Sequence, residues 1–266
     1  MDFDKFSNQH KRINELIMPP QKTITYLINL QRCPERLAKM KKSLTSLNIT
    51  FERVEAVDSQ NLSQSDYQIC KAPNREYPYK LWDGELACFL SHKRCWSKLV
   101  NSSYDWALIF EDHCVFSPNS EKYFNSTDWI PEGCEIIQFT YSDNPVFYSE
   151  KINLADGNTL LKAKYSSPIG TSAYYISKRA AKLALEYSNE ILSPIDNYLF
   201  GHWSVFSTKI SYWRLCGAVL KRDPALNTTI KDRKQKQRKL YFSRYILKLA
   251  FTIRRFFLDK TYQYWC

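Results

Sequence analysis

Trp106-Ala107-Leu108-Ile109-Phe110 is an unbroken apolar run, and Glu111-Asp112-His113 follows it with no spacer. An apolar stretch of this length, entered from the turn-like Ser102-Ser103-Tyr104-Asp105, predicts a strand buried on both faces. That pattern belongs to a sheet covered on each side by helices, and such sheets bind ligands outside the carboxyl ends of their strands. Two carboxylates and an imidazole at that place are able to hold a divalent cation, and through it a phosphate. The same letters also fit a strand that has merely reached water, so the rest of the chain has to decide between them.

Length and composition narrow the choice. With 266 residues, 44% of them hydrophobic and 15% aromatic, the chain is too apolar to stay disordered and suits one large domain with a tail. It has only six glycines, and neither GxxxxGK[ST] nor GxGxxG occurs, which excludes P-loop enzymes and the usual dinucleotide-binding fingerprint. The eight cysteines form no CxxC and no Cys/His spacing of a zinc site. Cys88 and Cys95, seven apart, are expected on one helix face as small buried hydrophobes. Residues 1–21 are polar and charged with no apolar signal-like core, so a cytoplasmic location with reduced thiols is the expectation.

Charge is unevenly placed. Residues 231–266 carry eleven Lys/Arg against two Asp, whereas the first 230 carry 27 Lys/Arg against 25 Asp/Glu. In the tail, Phe242, Tyr245, Ile246, Leu249, Ile253, Phe256 and Phe257 recur at helical spacing, with Arg244, Lys248 and Arg255 largely on the other side. A basic amphipathic helix of this kind can lie on an anionic membrane surface. It can equally pack on the domain with its basic face in water. No recognisable nucleic-acid motif accompanies Lys231 to Lys239, and no nucleic-acid partner is expected. No run is long enough to span a membrane.

Thr23 to Leu30 predicts a first strand, Pro34 opens a helix through Leu37, Met40, Leu44 and Leu47, and Ile49 to Val57 predicts a second strand. Residues 59–80 read as a long loop. A helix follows over Glu85 to Val100, with Asp83 or Gly84 before it, then the strand that ends in the acidic cluster. Glu135 to Thr140 and Thr171 to Ser177 predict further strands, the second running into a helix over Lys178 to Tyr187, and Pro194 marks a turn into a short helix. Strand–helix–strand order argues for an α/β fold with a mostly parallel sheet.

Four segments in order resemble glycosyltransferase family 25, the lipopolysaccharide and lipooligosaccharide core sugar transferases related to collagen galactosyltransferases. They are Tyr26-Leu27-Ile28-Asn29-Leu30 with Arg32, Pro34, Glu35, Arg36 and Leu37; Ile49 to Asp58; Gly84-Glu85-Leu86-Ala87-Cys88-Phe89-Leu90-Ser91-His92 through Trp96 to Glu111-Asp112; and Gly170 to Ser177 with Pro194-Ile195-Asp196. The resemblance covers roughly residues 22–200. It implies a glycosyltransferase A-type fold, Rossmann-like and flanked by helices, with a catalytic domain over 22–230, a polar extension over 1–21 and the basic amphipathic helical tail over 231–266. It further implies a nucleotide-sugar donor, inversion at the anomeric carbon, and a divalent metal on an acidic motif. Members usually show Glu-Asp-Asp there, and His113 stands in the last place. An imidazole beside oxygen ligands makes manganese the more natural ion than magnesium.

Within that resemblance, Glu111, Asp112 and His113 are the metal candidates, with Asp112 also on the donor side. On an extended strand Glu111 and His113 share a face and Asp112 opposes them. Asp196 matches the family's Pro-x-Asp and is the candidate general base, although it also fits a helix cap; Glu85 competes for the role from the first turn of its helix. Asn29, Leu30, Arg36, Val57, Asp58, Ser91 and His92 are the donor candidates. Gly170, Thr171 and Tyr174 are expected on the acceptor side, the glycine for close backbone approach and the tyrosine for stacking on a sugar ring. The function these imply is an inverting hexosyltransferase moving galactose or glucose from a UDP-sugar to a lipopolysaccharide or lipooligosaccharide saccharide. It would sit peripherally at the inner face of the cytoplasmic membrane. The alternatives are a protein-directed galactosyltransferase and a catalytically dead carbohydrate-binding member of the fold.

Overall fold

The computed structural model describes residues 22–74, 77, 80–139, 146–164, 170–201, 204–217, 219–222 and 262–264. The N-terminal extension 1–21 and the helix expected over residues 242–257 lie outside these. The described chain runs β1 (Thr23–Asn29), α1 (Pro34–Ser46), β2 (Glu52–Glu55), α2 (Gln64–Gln68), α3 (Asp83–Val100), β3 (Trp106–Glu111) and β4 (Cys114–Phe116). It continues through β5 (Ile136–Gln138), β6 (Val146–Asn153), β7 (Thr159–Ala163), β8 (Ala173–Ser177), α4 (Lys178–Glu186), α5 (Ile195–Phe200), β9 (Tyr212–Cys216), β10 (Leu220–Arg222) and β11 (Tyr262–Tyr264).

Local chemistry explains the boundaries. Pro34 sits in the first turn of α1, where its missing N–H costs nothing, and Met40 and Leu44 are that helix's buried contacts. The helix α3 begins at Asp83, two residues earlier than the sequence suggests. Its cap is Trp82, and the Glu85 carboxylate accepts the Trp82 backbone N–H at 3.0 Å. Asp83 therefore lies inside the first turn. Ser177 caps α4 by accepting from Ala180 N at 3.0 Å. The expected loop over 59–80 instead contains a 3₁₀ turn at Ser59–Asn61 and α2, which opens with a capping box between Ser63 and Asp66.

Nine strands form one sheet in the order β11-β6-β7-β9-β5-β8-β3-β1-β2, with β10 and β4 paired separately. The strands β1, β2 and β3 are parallel, as the strand–helix–strand opening implies. The expectation of a mostly parallel sheet is corrected beyond them. β8 runs antiparallel to both neighbours, β3 and β5, and the β6–β7 hairpin is antiparallel, as a short connection requires. β7 with β9 and β11 with β6 are antiparallel as well, and β5 with β9 is the one other parallel pair described. The sheet is mixed.

β3 is buried on both faces and divides the core. Ala107 and Ile109 pack with Trp96, Leu99 and the alanines of α4, whereas Trp106, Leu108 and Phe110 pack with Met40 and Leu44 of α1 and with Phe124. Phe110 meets Phe116 and Phe124 edge-on, each with ring centroids 5.3 Å apart. Among the described residues no helix is long and apolar enough to cross a membrane. Cys216 is disulfide-bonded, which corrects the expectation of reduced thiols at that position. Cys95 is fully buried as expected, but Cys88 is only half-buried.

Because Phe110 anchors one of the two layers, Phe110→Ala is expected to lower the free energy of unfolding by about 3–5 kcal/mol, read from the urea midpoint at unchanged m-value. A loss below about 1 kcal/mol would show that β3 does not hold the second layer.

Candidate active site

A cleft opens at the carboxyl ends of the three parallel strands. The chain goes from β1 outward to β2, then returns past β1 to β3, so the gap between β1 and β3 is the point where strand order reverses. Open α/β sheets bind ligands at such switch points. Asn29 reaches it from the end of β1, Leu30 and Arg32 from the turn that follows, Arg36 from the first turn of α1, and Val57 and Ser59 from beyond β2. Cys88, Ser91 and His92 face it from α3, and Glu111, Asp112 and His113 from β3. Its enclosed volume is about 110 Å³. That is below the ~300–1,000 Å³ of a complete small-molecule site, so only part of a larger ligand would be enclosed.

The three acidic-cluster residues diverge as strand geometry requires. Glu111 accepts a hydrogen bond from the Thr171 hydroxyl at 2.7 Å and lies 3.4 Å from His92 Nε2 and 3.5 Å from His113 Nδ1. Burial alone would push its carboxyl up, but the two imidazoles and Thr171 outweigh that and hold it at about 2. Asp112 points the other way, accepting from Asn29 Nδ2 at 2.8 Å and facing Arg36 at 3.4 Å. For Asp112 burial prevails and the pKa is raised, although Asn29, Arg36 and His113 oppose it. His113 Nε2 pairs with the Ser172 hydroxyl at 2.9 Å.

Each of these side chains is held from behind. Asn29, almost wholly buried, also donates to Cys33 O and accepts from Arg53 Nε, so its orientation is fixed. Ser91 donates to Ala87 O at 2.7 Å and accepts Val57 N–H at 2.9 Å, tying α3 to the end of β2. His92 is completely buried, and its Nδ1 pairs with the Tyr174 hydroxyl at 2.8 Å, which in turn accepts from Trp96 Nε1 at 3.0 Å. Cys88, His92 and Glu111 each bring one ligand atom within 4.8 Å of the others, so the cleft carries a donor set able to take a metal ion.

Several expected residues stand elsewhere. Tyr174 is corrected from an acceptor-side ring to a core residue, because it is fully buried and its hydroxyl serves His92. Thr171 is likewise buried and turned to Glu111. Gly170, at φ 65°, gives its carbonyl to Gln138 Nε2 at 2.9 Å. Glu85 is committed to the cap of α3, and neither it nor Asp196 lines the cleft. Asp196 lies in the first turn of α5 and accepts from Asn197 N at 2.9 Å. Asp58 accepts from Arg32 Nε at 2.5 Å, and that guanidinium lowers its pKa. Sequence reasoning missed Arg32, Arg53, Ser172 and the placement of Cys88. For Cys88 a signal existed, since it stands four residues before His92 on one helix.

Residues 22–199 match the family profile "Glycosyltransferase family 25 (LPS biosynthesis protein)". A "Glycosyltransferase 25 family member" of Drosophila pseudoobscura pseudoobscura is 31% identical over 204 residues, covering 69% of this chain and 31% of that protein. "Lipooligosaccharide biosynthesis protein lic2B" of Haemophilus influenzae is 30% identical over 183 residues, 66% of each chain. "Procollagen galactosyltransferase 1-A" of Xenopus laevis is 29% identical over 196 residues, 65% of this chain and 30% of that one. The match thus spans under a third of the two animal relatives and just under two thirds of the Haemophilus one. A solved glycosyltransferase involved in glycosylating the major capsid of PBCV-1 overlays with a TM-score of 0.39 at 11% identity, over 73% of this chain and 81% of its own. At that distance the overlay adds nothing to the argument.

The depressed Glu111 pKa has a signed consequence. A carboxyl lowered from the ordinary 4.5 to about 2 adds stability above the unfolded value that is lost as pH falls through the folded one. In chelator-treated protein, wild type should exceed Glu111→Gln by on the order of 2–3 kcal/mol at pH 6, the margin closing between about pH 4.5 and pH 2. A margin independent of pH, measured by urea unfolding at several pH values, would contradict the ion contacts at Glu111.

Proposed function

From a chain that belongs to glycosyltransferase family 25, we propose an inverting hexosyltransferase of A-type fold that moves galactose or glucose from a UDP-sugar to a lipopolysaccharide or lipooligosaccharide saccharide. The observation that carries this is the meeting of Arg32 and Arg36 with Glu111 and Asp112 in one cleft at the strand-order reversal. Sugar transfer breaks the bond between the anomeric carbon and a diphosphate, so negative charge grows on the leaving group while the sugar becomes cation-like. The two guanidiniums supply cations for the diphosphate, and Arg36 forms part of the cleft wall beside Asp112.

Glu111, held ionised, places fixed negative charge at the same point, and it would hold manganese together with His113, with Asp112, which points the other way, contributing through water. A bound divalent ion would neutralise leaving-group charge. Asn29, Leu30, Val57 and Ser91 shape the donor side, and Asp58 keeps Arg32 oriented. The base role is assigned to Asp196 on its Pro194-Ile195-Asp196 motif alone, since Asp196 does not line the cleft. The similarity to lipooligosaccharide biosynthesis proteins supports a glycolipid acceptor, and the cationic tail supports a peripheral place at the inner face of the cytoplasmic membrane. The procollagen galactosyltransferase relative supports galactose as the sugar and keeps a protein acceptor as the second reading.

Release of UDP from UDP-galactose and UDP-glucose, with a core saccharide as acceptor and manganese present, should be detectable. It should fall by roughly 10²-fold in Arg36→Ala and in Asp112→Asn, with NMR of the product showing the inverted anomer. Wild-type turnover in both variants would move the donor site elsewhere. The membrane assignment predicts sedimentation with vesicles containing anionic lipid that is lost at high salt; equal sedimentation with neutral vesicles would contradict it.

A further inference from the structure

We propose that Cys88, His92 and Glu111 form a binding site for a thiophilic divalent cation of the zinc class, which shares Glu111 with the Glu111–Asp112–His113 set but takes its other two donors from α3. Cys88 and His92 stand four residues apart on α3 and so present side chains from one face, one turn apart. Glu111 comes to them from the end of β3. The three ligand atoms lie within 4.8 Å of one another, and all three residues line the cleft.

The second observation is the state of His92. Its side chain is 0% exposed, Nδ1 is occupied by the Tyr174 hydroxyl, and Nε2 is buried with no hydrogen-bond partner. Nε2 has an ion-pair approach to Glu111 Oε1 at 3.4 Å, the contact that helps keep Glu111 charged, but its geometry falls short of a hydrogen bond. Buried polar atoms left in this way are uncommon and call for an account. A cation bonded to Nε2, to the carboxylate and to the Cys88 sulfur supplies one.

The donor types select the ion. Sulfur, imidazole nitrogen and one carboxylate oxygen suit zinc or cobalt, whereas magnesium and manganese prefer oxygen sets. Three protein ligands with a fourth position toward the cleft make the open type of zinc site. Tetrahedral bonds of about 2.0–2.3 Å set ligand atoms roughly 3.5 Å apart, so a modest turn of the half-buried Cys88 side chain closes the set. The Tyr174–Trp96 pair behind Nδ1 fixes the ring, as the outer partners of metal-bound histidines do. On binding, the Cys88 thiol gives its proton to solvent and the ion takes the thiolate. No spacing in the sequence marks the site, because its third ligand comes from a different element.

The test is titration of the full-length, chelator-treated chain with cobalt(II). One equivalent should produce a thiolate-to-cobalt charge-transfer band in the near ultraviolet, displaced by one equivalent of zinc. Cys88→Ser should abolish the band, and His113→Ala should retain it. Zinc affinity from competition with a chelating dye should fall at least about tenfold in Cys88→Ser. No band in wild type, a band that survives Cys88→Ser, or one lost in His113→Ala would overturn the proposal. Should Cys88→Ser fail to fold by circular dichroism, X-ray absorption on the zinc-loaded wild type decides. One sulfur among nitrogen and oxygen neighbours supports the site, and none overturns it.

Discussion

Glu111 sits where the two hydrophobic layers on either side of β3 run out, and a carboxylate in that position must be kept charged against its own burial. The strand cannot supply the compensation, because Trp106 to Phe110 are apolar on both faces. It comes instead from three other elements: His92 on α3, Thr171 just before β8, and His113 beyond the strand end. Each of these is itself constrained, His92 by Tyr174 and His113 by Ser172. Moving any of the three elements therefore disturbs the carboxylate. The antiparallel entry of β8 beside β3 is what brings Gly170 to Ser172 alongside the strand end, where Glu111 N donates to Ser172 O at 2.8 Å. Sheet topology and site electrostatics are in this sense one constraint.

Its neighbour shows the opposite resolution of the same problem. Asp112 is buried too, but its partners are an amide and a guanidinium at the longer distance of 3.4 Å, and burial carries its pKa upward. Two adjacent carboxyls thus part company, one held firmly ionised and one easier to protonate, because their partners differ. The alternation of side chains along an extended strand is enough to produce it.

That alternation was legible in the sequence, as were β1, β3, α1, α3 and α4, because unbroken apolar runs and helical spacing survive without context. The convergence of Asn29, Arg36 and Glu111 to Asp112 was legible as well, since they lie at the ends of consecutive elements, whereas Ser91 and His92, midway along α3, came from the family resemblance. What could not be read was contact between remote segments. β9 carries Arg214 in the middle of Tyr212–Cys216, fully buried, and no single-sequence rule makes a strand of a stretch with a charge at its centre. β6 is half-exposed at the sheet margin and has no clean alternation. The aromatic letters of Tyr174 suit a sugar platform and a core tyrosine equally, and only the antiparallel pairing of β8 with β3 places that ring beneath His92. Thr171 lies sixty residues from the carboxylate it serves.

Arg36 links the proposed chemistry to this architecture. A diphosphate entering the cleft competes with Asp112 for the guanidinium, and taking it would ordinarily strand a buried carboxylate. Asn29 removes that difficulty. It holds Asp112 at 2.8 Å, shorter than the arginine contact, and is itself pinned by Cys33 O and Arg53. Asp112 thus keeps a strong hydrogen bond if Arg36 turns to an anion, and its raised pKa allows it to take a proton as the cation leaves. The neutral amide at the end of β1 lets a positive group be shared between a resident carboxylate and an arriving phosphate. A lysine or arginine in place of Asn29 would fix Asp112 in its charged form and remove that freedom.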